Sequence, residues 1–245
     1  MLRNKNLVNQ AFQFEEAGYF SEASQICQEI LVDNPDDGDA LHLLGILCNN
    51  LGRYHQAVIF FERSLLVLGQ TPALLHNYAV ALQGLDFLDK ASKILRLTIA
   101  LDPKKIESRL RLGEIEFTKE NWLNAKKIFK KVLVFDPDNI EALNFLGITY
   151  RRLESLMESR FCFQKILNIN DKNPAVQNNL GITETQMNNF RLAKIAFLKA
   201  LTMEPKYSDA YYNLGNVHLA ELEYELASNY FSKSLEIQPA NKMVI

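Results

Sequence analysis

Small residues recur in this chain at a fixed interval of 34 residues, and that interval constrains the fold more than any other feature. The positions of the series are Ala11, Gly45, Ala79, Gly113, Gly147, Gly181 and Gly215. A chain that repeats one pattern over nearly its whole length builds the same structural unit many times, and each unit buries its apolar side against its neighbours.

Two further series keep the same phase. Twelve residues after the small positions come Ala23, Ala57, Ala91, Ala125, Ser159, Ala193 and Ala227, and four residues later come Cys27, Phe61, Leu95, Phe129, Phe163, Phe197 and Phe231. The prolines mark boundaries, because proline interrupts helices; they are Pro35, Pro72, Pro103, Pro137, Pro174, Pro205 and Pro239. The resulting repeats are 4–37, 38–71, 72–105, 106–139, 140–173, 174–207 and 208–241.

Each repeat contains two amphipathic helical patterns. Apolar or small residues follow i, i+3, i+4, i+7 spacing in the first pattern of the fifth repeat, at Leu143, Leu146, Gly147 and Tyr150. This spacing predicts one buried stripe on a helix. Gly18 and Gly52, or polar residues such as Glu120 and Asn121, predict a short turn before the second helix of the pair.

The pattern resembles the tetratricopeptide repeat, whose signature is W-x2-L-G-x2-Y, then A-x3-F, then P. In the last repeat it is carried by Tyr211, Leu214, Gly215, Ala227, Phe231 and Pro239. The resemblance implies an all-α, right-handed superhelical α-solenoid of seven repeats. It implies one domain over residues 1–245, which ends in a short apolar tail at 242–245, and a concave groove that binds a protein or an extended peptide.

Segments such as Tyr212-Asn213-Leu214-Gly215-Asn216 are also similar to the repeats of O-linked N-acetylglucosamine transferases, without a catalytic domain here. That resemblance implies that groove asparagines hold a peptide backbone, at Asn9, Asn77, Asn179 and Asn213. An asparagine amide offers a donor and an acceptor, as a peptide unit does. Leu43, Arg111 and Phe145 interrupt this row of asparagines.

The groove would be lined by the side of each first helix that lies opposite its Leu-Gly stripe. That side is rich in amides and carries a few apolar residues. The predicted binding residues are Asn9, His42, Asn49, His76, Asn77, Arg111, Asn144, Ile148, Arg151, Asn178, Asn179, Ile182, Tyr212, Asn213 and Asn216.

Charged and titratable residues on this face allow alternatives. Arg111, Arg151 and Arg152 would form a basic patch that binds a carboxylate; alternatively, Arg151 and Arg152 are cations that stabilise a helix C-terminus. His42 and His76 lie one repeat apart, but no third metal ligand accompanies them. Solvated histidines or peptide contacts are therefore expected, and no metal.

Composition and motifs exclude several classes of function. The net charge of -2 argues against a nucleic-acid partner. No apolar run approaches the length of a membrane span or a signal peptide. Nucleotide-binding, zinc-protease and serine-hydrolase motifs are missing. Three well-separated cysteines fit reduced thiols. We therefore expect a cytoplasmic, non-enzymatic scaffold or adaptor without a cofactor.

The end of the sequence suggests one alternative function, and the resemblance to transferase repeats implies another. Only Lys242, Met243, Val244 and Ile245 follow the seventh repeat, so a polar capping helix is not predicted. One alternative is therefore self-assembly into a homo-oligomer through this C-terminal edge. The other is a chain that presents substrates to a separate glycosyltransferase.

Overall fold

The computed structural model describes residues 2–239, with side chains from residue 6 onward; the apolar tail 242–245 lies outside this range. Fourteen helices and no strand occur within it. In order they are α1 Leu2–Glu16, α2 Phe20–Asp33, α3 Gly38–Asn50, α4 Tyr54–Leu68, α5 Pro72–Gly84, α6 Leu88–Leu101, α7 Ile106–Thr118, α8 Trp122–Phe135, α9 Ile140–Arg152, α10 Leu156–Ile169, α11 Pro174–Gln186, α12 Phe190–Met203, α13 Ser208–Ala220 and α14 Tyr224–Ile237. The predicted all-α class, with seven helix-turn-helix repeats, is confirmed.

The turn inside each pair contains one residue in the left-handed region of the backbone. These residues again follow the 34-residue interval: Gly18, Gly52, Asp86, Glu120, Glu154, Asn188 and Leu222. Glycine adopts a positive φ without a steric penalty, whereas the five other residues adopt it at a cost. The turns predicted at Gly18, Gly52 and Glu120 are therefore present.

The prolines lie at helix boundaries, as predicted. Pro72 begins α5 and Pro174 begins α11. The preceding residues, Thr71 and Asn173, cap these helices. Their side-chain oxygens accept hydrogen bonds from the backbone N–H groups of Leu74 and Val176, respectively.

Within a pair, the small residue of the first helix packs against the aromatic residue of the second. Gly45 lies against Phe61, and Gly181 lies against Phe197. A Cβ atom added at Gly45 or Gly181 would lie 2.3 or 2.5 Å from the facing ring. The two backbones approach this closely because glycine has no side chain, and the rings fill the remaining space.

The helices form two compact units, Met1–Ile115 and Glu116–Ile245. Buried residues at the predicted alanine and aromatic positions make up the core of each unit, for example Ala57 and Phe61 in unit 1 and Ala193 and Phe197 in unit 2. Ser159 replaces the usual alanine and is also buried, where its hydroxyl lies 3.1 Å from that of Thr183.

Candidate functional site

In unit 1, amide and imidazole side chains connect the first helices of neighbouring pairs. Nδ2 of Asn77 on α5 donates to Nε2 of His42 on α3 over 3.0 Å. Nδ2 of Asn49 donates to the main-chain oxygen of Asn77 over 2.9 Å. Nδ1 of His76 lies 2.9 Å from the hydroxyl of Ser108. We call His42, Asn49, His76 and Asn77 the amide face of unit 1.

In unit 2, asparagines make the corresponding contacts. Nδ2 of Asn213 on α13 donates to Oδ1 of Asn178 on α11 over 2.9 Å. Nδ2 of Asn179 on α11 donates to Oδ1 of Asn144 on α9 over 3.4 Å, a long hydrogen bond. Asn144, Asn178, Asn179, Asn213 and Asn216 form the amide face of unit 2. Four of these five predicted asparagines are therefore brought together in two pairs, Asn144 with Asn179 and Asn178 with Asn213.

A spacing of 35 residues joins these partners, one more than the repeat. Two apolar residues with the same spacing, Val8 and Leu43, occupy the equivalent places earlier in unit 1 and belong to one buried cluster. Polar residues thus pair with polar ones and apolar residues with apolar ones. The sequence carries this match at a spacing of 35 residues, and the 34-residue interval by itself does not reveal it.

The amide oxygens on these faces are less engaged than the nitrogens. Among residues 6–239, no side chain or backbone N–H donates to Oδ1 of Asn77, Asn179 or Asn213. Oδ1 of Asn49 is enclosed and likewise has no donor among the described residues. The side-chain oxygens of these asparagines can therefore still accept a hydrogen bond after the side-chain nitrogens have bonded to the neighbouring helix.

Burial changes the chemistry of the histidines. His42 is only 8% exposed, so the expectation of a solvated imidazole is wrong for this residue. Burial lowers the pKa of His42 to about 4. Burial and the nearby charges of Lys105 and Arg111 lower the pKa of His76 to about 4, against a smaller opposite effect of Glu107. The ring nitrogens of His42 and His76 bond to Asn77 and Ser108, respectively.

The three arginines predicted as one patch differ in their partners. Arg111 donates to Glu114 over 2.9 Å. Arg151, in the last turn of α9, is half-buried, and its Nη1 is enclosed without an acceptor among the described residues. Burial, with the neighbouring charge of Arg152, lowers the pKa of Arg151 to about 10. Arg152 lies over the ring of Trp122, with 5.8 Å between Cζ and the ring centroid.

The other predicted residues vary in exposure. Asn9 is exposed, while Ile148, Ile182 and Asn216 are half-buried. The half-buried ring of Tyr212 packs against Phe231, with 5.7 Å between ring centroids.

A turn that the sequence analysis did not single out brings together His218, Glu221 and Glu223, whose ligand atoms lie within 4.8 Å of one another. Nδ1 of His218 lies 2.5 Å from Glu223, and Nζ of Lys194 donates to Glu221 over 2.7 Å. The His218–Glu223 hydrogen bond and the Lys194–Glu221 ion pair account for the cluster.

Tetratricopeptide repeat profiles match three repeats of the chain. One profile matches residues 208–241, and another matches residues 38–67 and 174–207. A comparison with curated proteins found no match. No helix within residues 2–239 combines the length and the apolar character that crossing a membrane requires.

Solved structures share the fold over most of the chain. The C-terminal part of a TPR repeat-containing protein from Cytophaga hutchinsonii has a TM-score of 0.77 and 14% identity, and the match covers 97% of each chain. A tetratricopeptide repeat protein from Parabacteroides merdae has a TM-score of 0.72 and 18% identity, covering 100% of this chain and 96% of that one.

YrrB, described as a TPR protein with an unusual peptide-binding site, has a TM-score of 0.63 and 21% identity, covering 75% of this chain and 95% of its own. At these identities the similarity concerns the fold. With its repeat period, paired helices and matched repeats, the chain belongs to the tetratricopeptide repeat proteins, which generally mediate protein–protein interactions.

Proposed function

We propose that this chain is a non-enzymatic scaffold that binds an extended segment of another protein on its amide faces. The observation that supports this most directly is the way in which the side chains of Asn179 and Asn213 are each held. Each side-chain nitrogen is held by an asparagine of the preceding repeat, while each Oδ1 has no donor among the described residues. An amide held in this way is an acceptor whose orientation is set before a partner arrives, which reduces the entropic cost of binding.

The spacing of these acceptors suits an extended backbone. Packed helices lie roughly 8–10 Å apart, and three residues of an extended chain span about 10 Å. Backbone N–H groups of a bound segment would therefore meet successive amide oxygens about every third residue. Asn178 is only 5% exposed, so its proposed role is to position the amide of Asn213.

The half-buried residues Ile148, Ile182 and Tyr212 supply apolar contact beside the amides of unit 2. Arg151 and Arg152 have no acidic partner among the described residues, which favours a segment with an aspartate or glutamate at this point. A role in stabilising the C-terminus of α9 is the alternative for these two arginines.

Peptide selection would test the proposal. Dodecamers selected from a random library displayed on phage would be measured by fluorescence anisotropy against the chain and two paired variants, Asn144→Leu/Asn179→Leu and Asn178→Leu/Asn213→Leu. These variants copy the apolar pairing of Val8 and Leu43. We expect each to weaken binding about tenfold, whereas Asn229→Leu, an exposed change on α14, leaves it unaltered. Equal affinity for all variants would contradict the proposal.

A cytoplasmic location is part of the same proposal. Cys27, Cys48 and Cys162 are buried free thiols, as is usual for a protein of a reducing compartment. Self-assembly through the C-terminal edge remains an alternative and would appear as a concentration-dependent mass in light scattering. Presentation of substrates to a glycosyltransferase requires a separate catalytic chain that co-purifies with this one.

A further inference from the structure

A second surface of unit 2 has different chemistry from the amide face. The second helices α8 and α10 border a groove with a cavity of about 510 Å³. We call it the α8–α10 groove and define it by Leu133, Val134, Pro137, Met157 and Phe161. It extends over about two turns of each helix.

Three apolar side chains of this groove are largely exposed. Val134 is 76% exposed, Phe161 is 65% exposed and Met157 is 61% exposed. Single exposed apolar residues are ordinary, but three that line one cavity make a continuous apolar patch, which marks a contact surface.

Positive charge lies along one side of the groove, on α8. Helix α8 carries Lys126, Lys127, Lys130 and Lys131 and no acidic residue, and none of these lysines forms an ion pair with a described residue. Lys130 lines the groove directly. Lys165 also lines it, but Asp138 neutralises that charge over 3.0 Å. Glu158 is the acidic residue in the lining.

The same place three repeats earlier has a similar cavity without the lysines, although Arg53 contributes one positive charge to its lining. A cavity of about 540 Å³ lies between α2 and α4, where Gln28 replaces Lys130 and Ile59 replaces Phe161. Ser24, Gln25 and Glu29 stand where Lys126, Lys127 and Lys131 occur in α8. The lysines are therefore not required by the repeat itself.

We propose that the α8–α10 groove binds an acidic amphipathic helix of a partner protein. The apolar side of that helix would lie on Val134, Met157 and Phe161, and its carboxylates would face the lysines of α8. An extended peptide fits this groove poorly, because the apolar lining would leave its backbone N–H and C=O groups without partners. A helix satisfies those groups internally, and it presents anchors at i, i+3, i+4 and i+7.

This proposal goes beyond the function proposed above, because none of the amide-face residues lines the groove. The two surfaces would allow the chain to hold two partners, one extended and one helical.

Two synthetic helices would test it. The probe is an acetylated, amidated and fluorescently labelled 18-residue peptide with leucine on one face and glutamate on the other; the matched peptide has lysine in place of glutamate. Fluorescence anisotropy with the full chain should show at least about tenfold tighter binding of the acidic helix, with affinity that falls as salt rises. Equal affinities, or no measurable binding of the acidic helix, would overturn the proposal.

Variants locate the site. Phe161→Glu and Lys130→Glu should each weaken binding of the acidic helix about tenfold. Their equivalents in the α2–α4 cavity, Ile59→Glu and Gln28→Glu, should leave it unchanged. All four positions are exposed, and thermal melts would verify folding. A loss that is equal in both cavities would overturn the assignment. A second result would also overturn it: Phe161→Glu abolishes co-sedimentation of the chain with phosphatidylserine vesicles but leaves the affinity for the acidic helix unchanged. The groove would then be a lipid contact.

Discussion

Gly147 on α9 lies directly against the ring of Phe163 on α10. A Cβ atom at position 147 would be 2.8 Å from Cζ of Phe163, closer than side chains normally approach. The ring of Phe163 is fully buried. This contact sets the distance between the two helices of the fifth repeat.

Gly147→Leu should therefore lower the free energy of unfolding by at least about 2 kcal/mol, since overpacking a filled core forces backbone shifts. Urea denaturation monitored by circular dichroism would measure the loss. Adding Phe163→Ala to Gly147→Leu should recover part of it. If the double variant lost more stability than the two single variants lose together, the side chains at positions 147 and 163 would not compete for one space.

Leu222 occupies a left-handed turn between α13 and α14, with φ of 64° and 69% of its surface exposed. A left-handed conformation costs an L-residue about 1–2 kcal/mol, and glycine avoids this cost but loses more entropy on folding. Leu222→Gly should raise the stability by about 0.5–1 kcal/mol in thermal unfolding. Asn188→Gly, at the equivalent turn, should give a smaller gain because asparagine tolerates this conformation better. A destabilised Leu222→Gly variant would contradict this account of the turn.

The pair Asn178 and Asn213 should be energetically coupled. Asn213→Leu alone leaves the buried Oδ1 of Asn178 without its donor, which should cost about 1–3 kcal/mol. Adding Asn178→Leu creates the apolar pairing that Val8 and Leu43 have in unit 1 and should recover most of the loss. A double-mutant cycle from urea denaturation measures this coupling. Additive losses would mean that the amides do not act as a pair.

Acid should weaken unit 1 through His42. Burial lowers the pKa of His42 to about 4, below the ordinary value of 6.5, so the unfolded chain binds a proton where the folded chain does not. Stability is therefore retained above about pH 6.5 and lost as the pH falls towards 4, by roughly 1 kcal/mol per pH unit. Protonation would also remove the acceptor that Nε2 offers to Asn77.

Urea midpoints between pH 7 and pH 4.5 would test this expectation. His42→Gln should reduce the slope of stability against pH. His55→Gln, at an exposed position, serves as the matched control and should leave the slope as it is. Equal slopes for the original chain and His42→Gln would show that His42 does not control the acid response.

The same substitution at two half-buried arginines of unit 2 should change the stability differently. Arg151 has an enclosed Nη1 without an acceptor among the described residues, so Arg151→Met should be neutral or should raise stability by about 1 kcal/mol. Arg160 donates to the buried Glu184 over 2.5 Å, so Arg160→Met should cost about 3 kcal/mol. Thermal and urea unfolding of the two variants would measure the difference. A comparable loss in Arg151→Met would indicate that Arg151 contributes to folding.

The period of small residues, alanines, aromatic residues and prolines predicted the boundaries of the repeats and most of the residues that are buried. Gly45 and Phe61 illustrate the reason: a residue's place on its own helix determines whether it faces the paired helix, and that place can be read from spacing alone. The turn positions are equally local, since the need for a positive φ at Gly18 and Gly52 arises within a few residues.

Tertiary structure decided which side chains meet between repeats. Asn213 contacts Asn178 because the neighbouring first helices are offset by one residue from the 34-residue repeat, and that offset depends on how whole helices pack. The same packing enclosed His42, left Arg151 without a carboxylate among the described residues, and opened an apolar groove beside the lysines of α8. Sequence periodicity reports the orientation of a residue on its helix. The rotation and translation between helices decide its partners, and these result from the summed contacts of many side chains.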